Sequence, residues 1–201
     1  CGMMADVSRN AVLTVDSVKK LILHMAKMGL NMLMLYTEDT YKMEKYPYFG
    51  YMRGAYTQEE IRELVTYADR FGIEVVPCIQ TLAHLSRALQ WDSAGSIKDT
   101  EDILLVDEPD TYVFIEEMFR TCRASFKTNR IHIGMDEENF DLQKYLPVVT
   151  IRQHDLIWND MNFLFAECEK YGARPWVWSD MYWLHPESYA ANMSKAVLQS
   201  N

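Results

Sequence analysis

The sequence lacks what would send it to a nucleic acid, a nucleotide or a membrane. No basic stripe appears along the chain. Its 29 acidic residues outweigh 20 lysines and arginines and leave a net charge of −9, so a polyanion finds little to grip. No glycine-rich loop follows the first strand-like segment. Arg9-Asn10-Ala11-Val12 stands there instead, which argues against the phosphate cradle of a dinucleotide-binding sheet. No apolar run reaches transmembrane length, and no signal peptide opens the chain. The first residues, Cys1-Gly2-Met3-Met4-Ala5, read as the interior of a protein, so a targeting segment upstream would not be visible. Cysteines are few and scattered: Cys1, Cys78, Cys122 and Cys168 show no metal-ligand spacing. They read as buried thiols in a reducing compartment, with no metal or other cofactor implied.

What is present is one unit repeated. With 49% hydrophobic residues, 201 residues can build one sizeable core. The patterning predicts a strand at Met3 to Ser8, then a helix from Val15 to Met28 closed by Gly29, with Val18, Leu21, Ile22 and Met25 on one face. A second strand is expected at Asn31 to Tyr36. A helix follows whose start carries a capping box, Thr57 with Glu60, and which ends at Phe71-Gly72. The third strand is expected at Ile73 to Gln80, with a short helical stretch around Leu82 to Leu89. Asp110 then opens a longer helix to about Phe126. A fourth strand at Ile131 to Met135, a helix from roughly His154 to Tyr171 ended by Gly172, and a fifth strand at Pro175 to Trp178 complete the series. Met28, Met32 and Met34 are expected at core positions. Tyr46, Tyr48, Phe49 and Tyr51 are read as a cover over the second loop rather than as substrate contacts.

Strands alternating with helices at this spacing make an α/β fold with a parallel sheet. Polar residues lie just past every strand: Arg9, then Glu38 and Asp39, then Gln80 and His84, then Asp136 and Glu137, then Ser179 and Asp180. Polar groups on one rim of successive strands favour the (β/α)8 TIM-type barrel over an open doubly wound sheet. Only five βα units are counted, against the eight of a full barrel, and no convincing sixth strand follows Trp183. Residues 1–201 are thus read as one partial catalytic barrel domain. Alone, they are expected to be inactive and either to associate through the open sheet edge into a homo-oligomer or to fold poorly.

The segment Ile131-His132-Ile133-Gly134-Met135-Asp136-Glu137-Glu138-Asn139 carries the chemistry. A buried strand runs into three consecutive carboxylates, and adjacent acids in a desolvated place raise one another's pKa. One reading is a solvated acidic turn; the other is a catalytic site at a strand end.

Six ordered stretches decide between these readings: D-V-S-R-N-A-V from Asp6, L-Y-T-E-D-T-Y from Leu35, P-Y-F-G-Y-M-R-G from Pro47, P-C-I-Q-T-L-A-H-L from Pro77, I-G-M-D-E from Ile133 and W-S-D-M from Trp178. Together they resemble the family 20 glycoside hydrolases, the β-N-acetylhexosaminidases, most closely a bacterial branch of cytoplasmic type. After Glu137 the branch usually carries a histidine-containing, glycine-rich segment, where this chain has Asn139-Phe140-Asp141-Leu142-Gln143. The resemblance implies an exo-acting, retaining hydrolase of terminal β-linked GlcNAc or GalNAc, located in the cytoplasm and acting on a glycan or glycoconjugate. In its substrate-assisted mechanism the 2-acetamido carbonyl attacks C1 and forms an oxazolinium ion. Glu137 would be the general acid and then base, and Asp136 would orient the acetamido group.

The remaining candidates have two readings each. Arg9 is a surface ion-pair partner or a clamp for sugar hydroxyls. His84 is a core histidine or, as the resemblance implies, a partner of Glu38 or Asp39 behind the acid. Trp178 fills the barrel or forms a wall for a sugar ring; Asp180 is assigned to substrate binding as well. Two alternatives to the hexosaminidase remain: a non-catalytic sugar-binding relative, and a conventional two-carboxylate β-glycosidase with Glu38 as nucleophile.

Overall fold

The computed structural model describes residues 1–9, 11–136 and 155–200. Six strands run parallel in one curled sheet, in the order of the chain. They are β1 (Gly2–Asp6), β2 (Met32–Tyr36), β3 (Glu74–Cys78), β4 (Arg130–His132), β5 (Arg174–Trp178) and β6 (Leu198–Ser200). Helices α1 (Val15–Lys27), α2 (Gln58–Asp69), α3 (Pro109–Ser125) and α4 (Asp155–Lys170) lie between strands, with the short α5 (Asp180–Leu184) and α6 (Pro186–Asn192) before β6. Adjacent order with every pair parallel and a helix in each long connection is the pattern of a β/α barrel opened along one side.

The helix boundaries follow from local chemistry. Thr14 caps α1 by accepting from the Ser17 amide, and Gly29 turns the chain out at φ 74°, a left-handed conformation that glycine adopts without a Cβ penalty. Thr57 and Glu60 form the expected reciprocal capping box at α2. The sheet then sorts its side chains by alternation. Leu33, Leu35, Val75, Ile131 and Val177 point outward into the main core with Val18, Ile22, Leu64, Ile115, Phe119 and Leu164 of the helices. Met34, Tyr36, Val76 and Cys78 face the barrel interior with Met4, Met32 and Trp176.

Four sequence expectations are corrected. A sixth strand exists: Leu198–Ser200 pairs with Trp176–Trp178. It is three residues long and has no β-branched residue, so neither length nor propensity announced it. Leu82 to Leu89 is not a helix. Leu82, Leu85 and Leu89 are buried at helix-like spacing, but His84 sits at φ 60° and the backbone bonds cross to Asp102 and Leu104 instead of running up a helical ladder. Met28 is 64% exposed because it is the C-cap of α1, where the chain leaves the core face, whereas Met34 is buried as expected. Cys1 is exposed, while Cys78, Cys122 and Cys168 are buried free thiols. Tyr46 and Phe49 pack edge-on against Phe114 of α3, with ring centroids 4.8 and 5.8 Å away. Tyr48 and Tyr51 lie half-exposed against Trp91.

Candidate active site

The ends of the first four strands place a connected polar group at the C-terminal rim of the sheet. At β1 the strand stops at Asp6, whose Oδ1 accepts from the Ser8 amide at 2.8 Å, the Ser8 hydroxyl at 2.7 Å and the Arg9 amide at 3.3 Å. This turn sets Arg9 beyond the strand. Its Nε donates to Glu38 Oε1 at 3.3 Å and its guanidinium lies 5.7 Å from the centre of the Tyr36 ring. The arginine side chain is 58% exposed, the glutamate almost covered. Burial pushes the Glu38 carboxyl above its ordinary value, against the pull of Arg9 and His84.

Asp39 turns the other way. It is 1% exposed and accepts from Arg53 Nε at 3.2 Å, and Arg53 also donates to the Ser8 carbonyl. Burial raises the Asp39 carboxyl and the Arg53 charge opposes that rise. Arg53 therefore ties the loop after β2 to the turn that carries Arg9. It lies in the stretch from Pro47 to Gly54, where nothing in its spacing marks the buried acid it meets.

After β3 the chain stays zipped to β4: the Ile79 amide donates to the His132 carbonyl at 2.8 Å, and the Thr81 hydroxyl to that of Ile133 at 2.8 Å. Gln80 is thereby held facing inward, fully buried. After β4, Gly134 and Met135 both adopt positive φ, 77° and 68°. Two left-handed residues in succession turn the chain so that Asp136 meets Gln80 and His84. Its Oδ1 accepts from Gln80 Nε2 at 2.9 Å, and its Oδ2 lies 3.2 Å from His84 Nε2. Burial pushes this carboxyl upward, but the bonds from His84 and Gln80 and the His84 charge outweigh it, so Asp136 titrates below its ordinary value. His84 thus meets an acid that the sequence had not offered as its partner, while its charge also bears on Glu38.

His132, in β4, is buried beside this group. Its Nδ1 accepts from the Gly134 amide at 3.1 Å, and burial pushes its pKa down to about 4, so the ring is neutral at physiological pH. Trp178 lies 4.7 Å from it, ring centre to ring centre, on the inward side of β5. Asp180 stands in the first turn of α5. Glu137, Glu138 and the segment 139–143 lie outside the described residues.

A polar cleft of about 320 Å³ opens between these elements, lined by Ser8, Arg9, Glu38, Arg53, His84, Ser86, Arg87 and Asp102. His84 is shared between the cleft and Asp136, and Asp180 and Trp178 do not line it. A larger cleft of about 650 Å³ lies under the loop from Lys42 to Glu59, but it contains none of the strand-end groups. Its size does not make it the site. Among the described residues, no three His, Cys, Asp or Glu side chains are grouped so as to hold a metal ion.

The chain as a whole matches a known domain. The catalytic-domain model of glycosyl hydrolase family 20 matches residues 1–198. The chain belongs to glycosyl hydrolase family 20. Among its relatives, a β-hexosaminidase of Vibrio furnissii is 34% identical over 96 residues, covering 42% of this chain and 16% of that protein. One from Akkermansia muciniphila is 24% identical over 179 residues, 73% of this chain and 36% of its own length. The fold agrees: the chitobiase of Flavobacterium johnsoniae superposes with a TM-score of 0.83 at 24% identity, over 98% of this chain and 33% of that one. The N-acetyl-β-hexosaminidase of Streptomyces plicatus, solved with Thio-NAglucal, gives 0.75 at 25% identity, over 90% of this chain and 39% of that one. The chain thus spans less than two-fifths of the length of each of these relatives.

Proposed function

We propose that this chain supplies the strand-end acids of a β-N-acetylhexosaminidase, an exo-acting hydrolase of terminal β-linked GlcNAc or GalNAc that works with retention through an oxazolinium ion. The observation that carries this reading is Asp136, kept as a carboxylate between Gln80 and His84 at the end of β4. An ionised carboxylate only accepts hydrogen bonds. It suits the amide N–H of a 2-acetamido group, fixes the carbonyl oxygen toward C1 and stabilises the positive charge that develops there. The next residue, Glu137, would give its proton to the leaving oxygen and later take one from water. Arg9, exposed but anchored on Glu38, would clamp sugar hydroxyls. Family membership supports the substrate class, as do the relatives named hexosaminidase and the Vibrio harveyi enzyme solved with N-acetylglucosamine.

Glu38 does not suit the role of nucleophile in a two-carboxylate scheme. It is buried, its carboxyl is pushed toward the neutral form, and Arg9 and Tyr36 both donate to its Oε1. Hydrolysis of a chromogenic N-acetylglucosaminide by the full-length protein tests the proposal. Glu137→Gln keeps the shape but has no proton to transfer, so turnover is expected to fall by roughly 10²–10⁴-fold, and less for a very good leaving group. Near-normal activity of Glu137→Gln on a natural disaccharide would contradict the assignment, and a full-length protein that binds the sugar without turnover would favour the non-catalytic relative.

A further inference from the structure

The side chain that fixes Asp136 has no part in the reaction just proposed. Gln80 is fully buried and its Nε2 donates twice, to Asp136 Oδ1 at 2.9 Å and to the Tyr36 hydroxyl at 3.0 Å. Chemistry fixes which way the amide points: its carbonyl turned toward an ionised carboxylate would leave two acceptors facing each other with no proton between. The Tyr36 hydroxyl, having accepted from Gln80, donates onward to Glu38 Oε1 at 3.3 Å, the oxygen that also receives Arg9. One neutral amide therefore joins the ends of four strands.

The backbone is shaped around it. At Gly134, φ is +77°, and a Cβ would lie 2.1 Å from Gln80 Oε1 and 3.0 Å from the Ile79 carbonyl oxygen. The glycine both permits the turn and leaves the space that the amide occupies.

We propose that Gln80 is a positioning residue, which fixes the rotamer of Asp136 and couples it through Tyr36 to the Glu38–Arg9 pair. The role rests on the hexosaminidase reading above. An amide does not titrate, so it holds the carboxylate across the working pH range. Among the described residues, the titratable groups that face Asp136 are His84, Tyr36, Cys78 and His132. Burial pushes the Tyr36 phenol and the Cys78 thiol upward and His132 downward, so these three stay neutral through the neutral range.

The test uses the full-length protein and a chromogenic N-acetylglucosaminide. Gln80→Leu keeps the bulk and removes both donors; kcat/KM is expected to fall by roughly 10- to 100-fold at every pH, as a misplaced reacting group does. Gln80→Glu keeps the shape but can donate only while it shares a proton with Asp136. It is expected to retain activity on the acid side and lose it on the alkaline side, in a step absent from the wild type. A purely structural role would not produce that step. Wild-type kcat/KM in a folded Gln80→Leu, or the wild-type pH profile in Gln80→Glu, overturns the proposal. A wild type with no hydrolytic activity would instead sink the hexosaminidase reading. The pairing is then read from the ¹³C carboxyl resonance of Asp136, assigned by its loss in Asp136→Asn. Its titration midpoint is expected to rise in Gln80→Leu, and an unchanged midpoint overturns the proposal there too.

Discussion

Arg53→Met isolates the contact that anchors the Arg9 turn. The substitution removes two interactions at once: the pair with Asp39, which is 1% exposed, and the donor to the buried Ser8 carbonyl. Breaking a buried pair from one side costs about 3–5 kcal/mol, because the remaining charge is left without compensation. Here the arginine side chain is itself 22% exposed, so water reaches the pair and the lower end of that range applies. The orphaned carbonyl adds about 1 kcal/mol, for an expected loss of roughly 3–4 kcal/mol near neutral pH. The loss depends on pH in a defined sense. Asp39 already titrates above its ordinary value in the folded protein, and without Arg53 it titrates higher still. The folded state then binds more protons than the unfolded state, so the charge part of the penalty grows as pH rises toward the folded pKa and vanishes below the unfolded one, about 3.9, which leaves only the carbonyl's share of about 1 kcal/mol. Urea unfolding of wild type and variant at acid and neutral pH measures this directly. Replacing Asp39 by Leu in the same background should recover much of the stability, and KM should rise in Arg53→Met because Arg9 loses its anchored turn. A loss below 1 kcal/mol at neutral pH, or one that does not shrink on acidification, would refute the reasoning.

Asp160, buried in α4, titrates at about 7, pushed up by burial alone, from an ordinary value of 3.8. Stability should therefore decline as pH rises from about 4 to 7 and level off above, and Asp160→Asn should flatten that decline and gain on the order of 1–4 kcal/mol at alkaline pH; a variant with an unchanged pH slope in thermal melts would contradict this. Residues 1–201 produced alone present an outer edge of Leu198–Ser200 that pairs with no strand among the described residues, and an inner sheet face carrying Trp176 and Trp178. We expect this piece to be inactive and to self-associate through that edge, whereas an active monomer in light scattering and glycoside assays would overturn that expectation.

Much of the frame was legible because its signals are local. The Thr57–Glu60 box and the glycines closing α1 and α2 declare themselves within four residues, and the alternation of Leu33 and Leu35 with Met34 and Tyr36 assigns two faces of a strand. The strand-end position of Arg9, Glu38, His84 and Asp136 was legible for the same reason. What escaped depended on contacts across the chain. Leu82 to Leu89 has helical spacing, but its backbone is held by residues 102–104. Leu198–Ser200 becomes a strand because β5 offers it an edge, not because of its own propensity. The pairing of Asp39 with Arg53, and of Asp136 with Gln80 and His84, depends on side-chain directions that no spacing encodes.

The central claim is that Asp136 serves a neighbouring acetamido group. Its most direct test compares the full-length protein on matched chromogenic glycosides that differ only at C2, acetamido against hydroxyl, with a thiazoline mimic of the oxazolinium ion as inhibitor. The account predicts that only the acetamido sugar is turned over efficiently. The thiazoline should inhibit competitively and tightly, because it resembles the intermediate the site is built to hold, and Asp136→Ala should weaken that inhibition together with kcat. Equal hydrolysis of the two sugars, with thiazoline binding indifferent to Asp136→Ala, would contradict it.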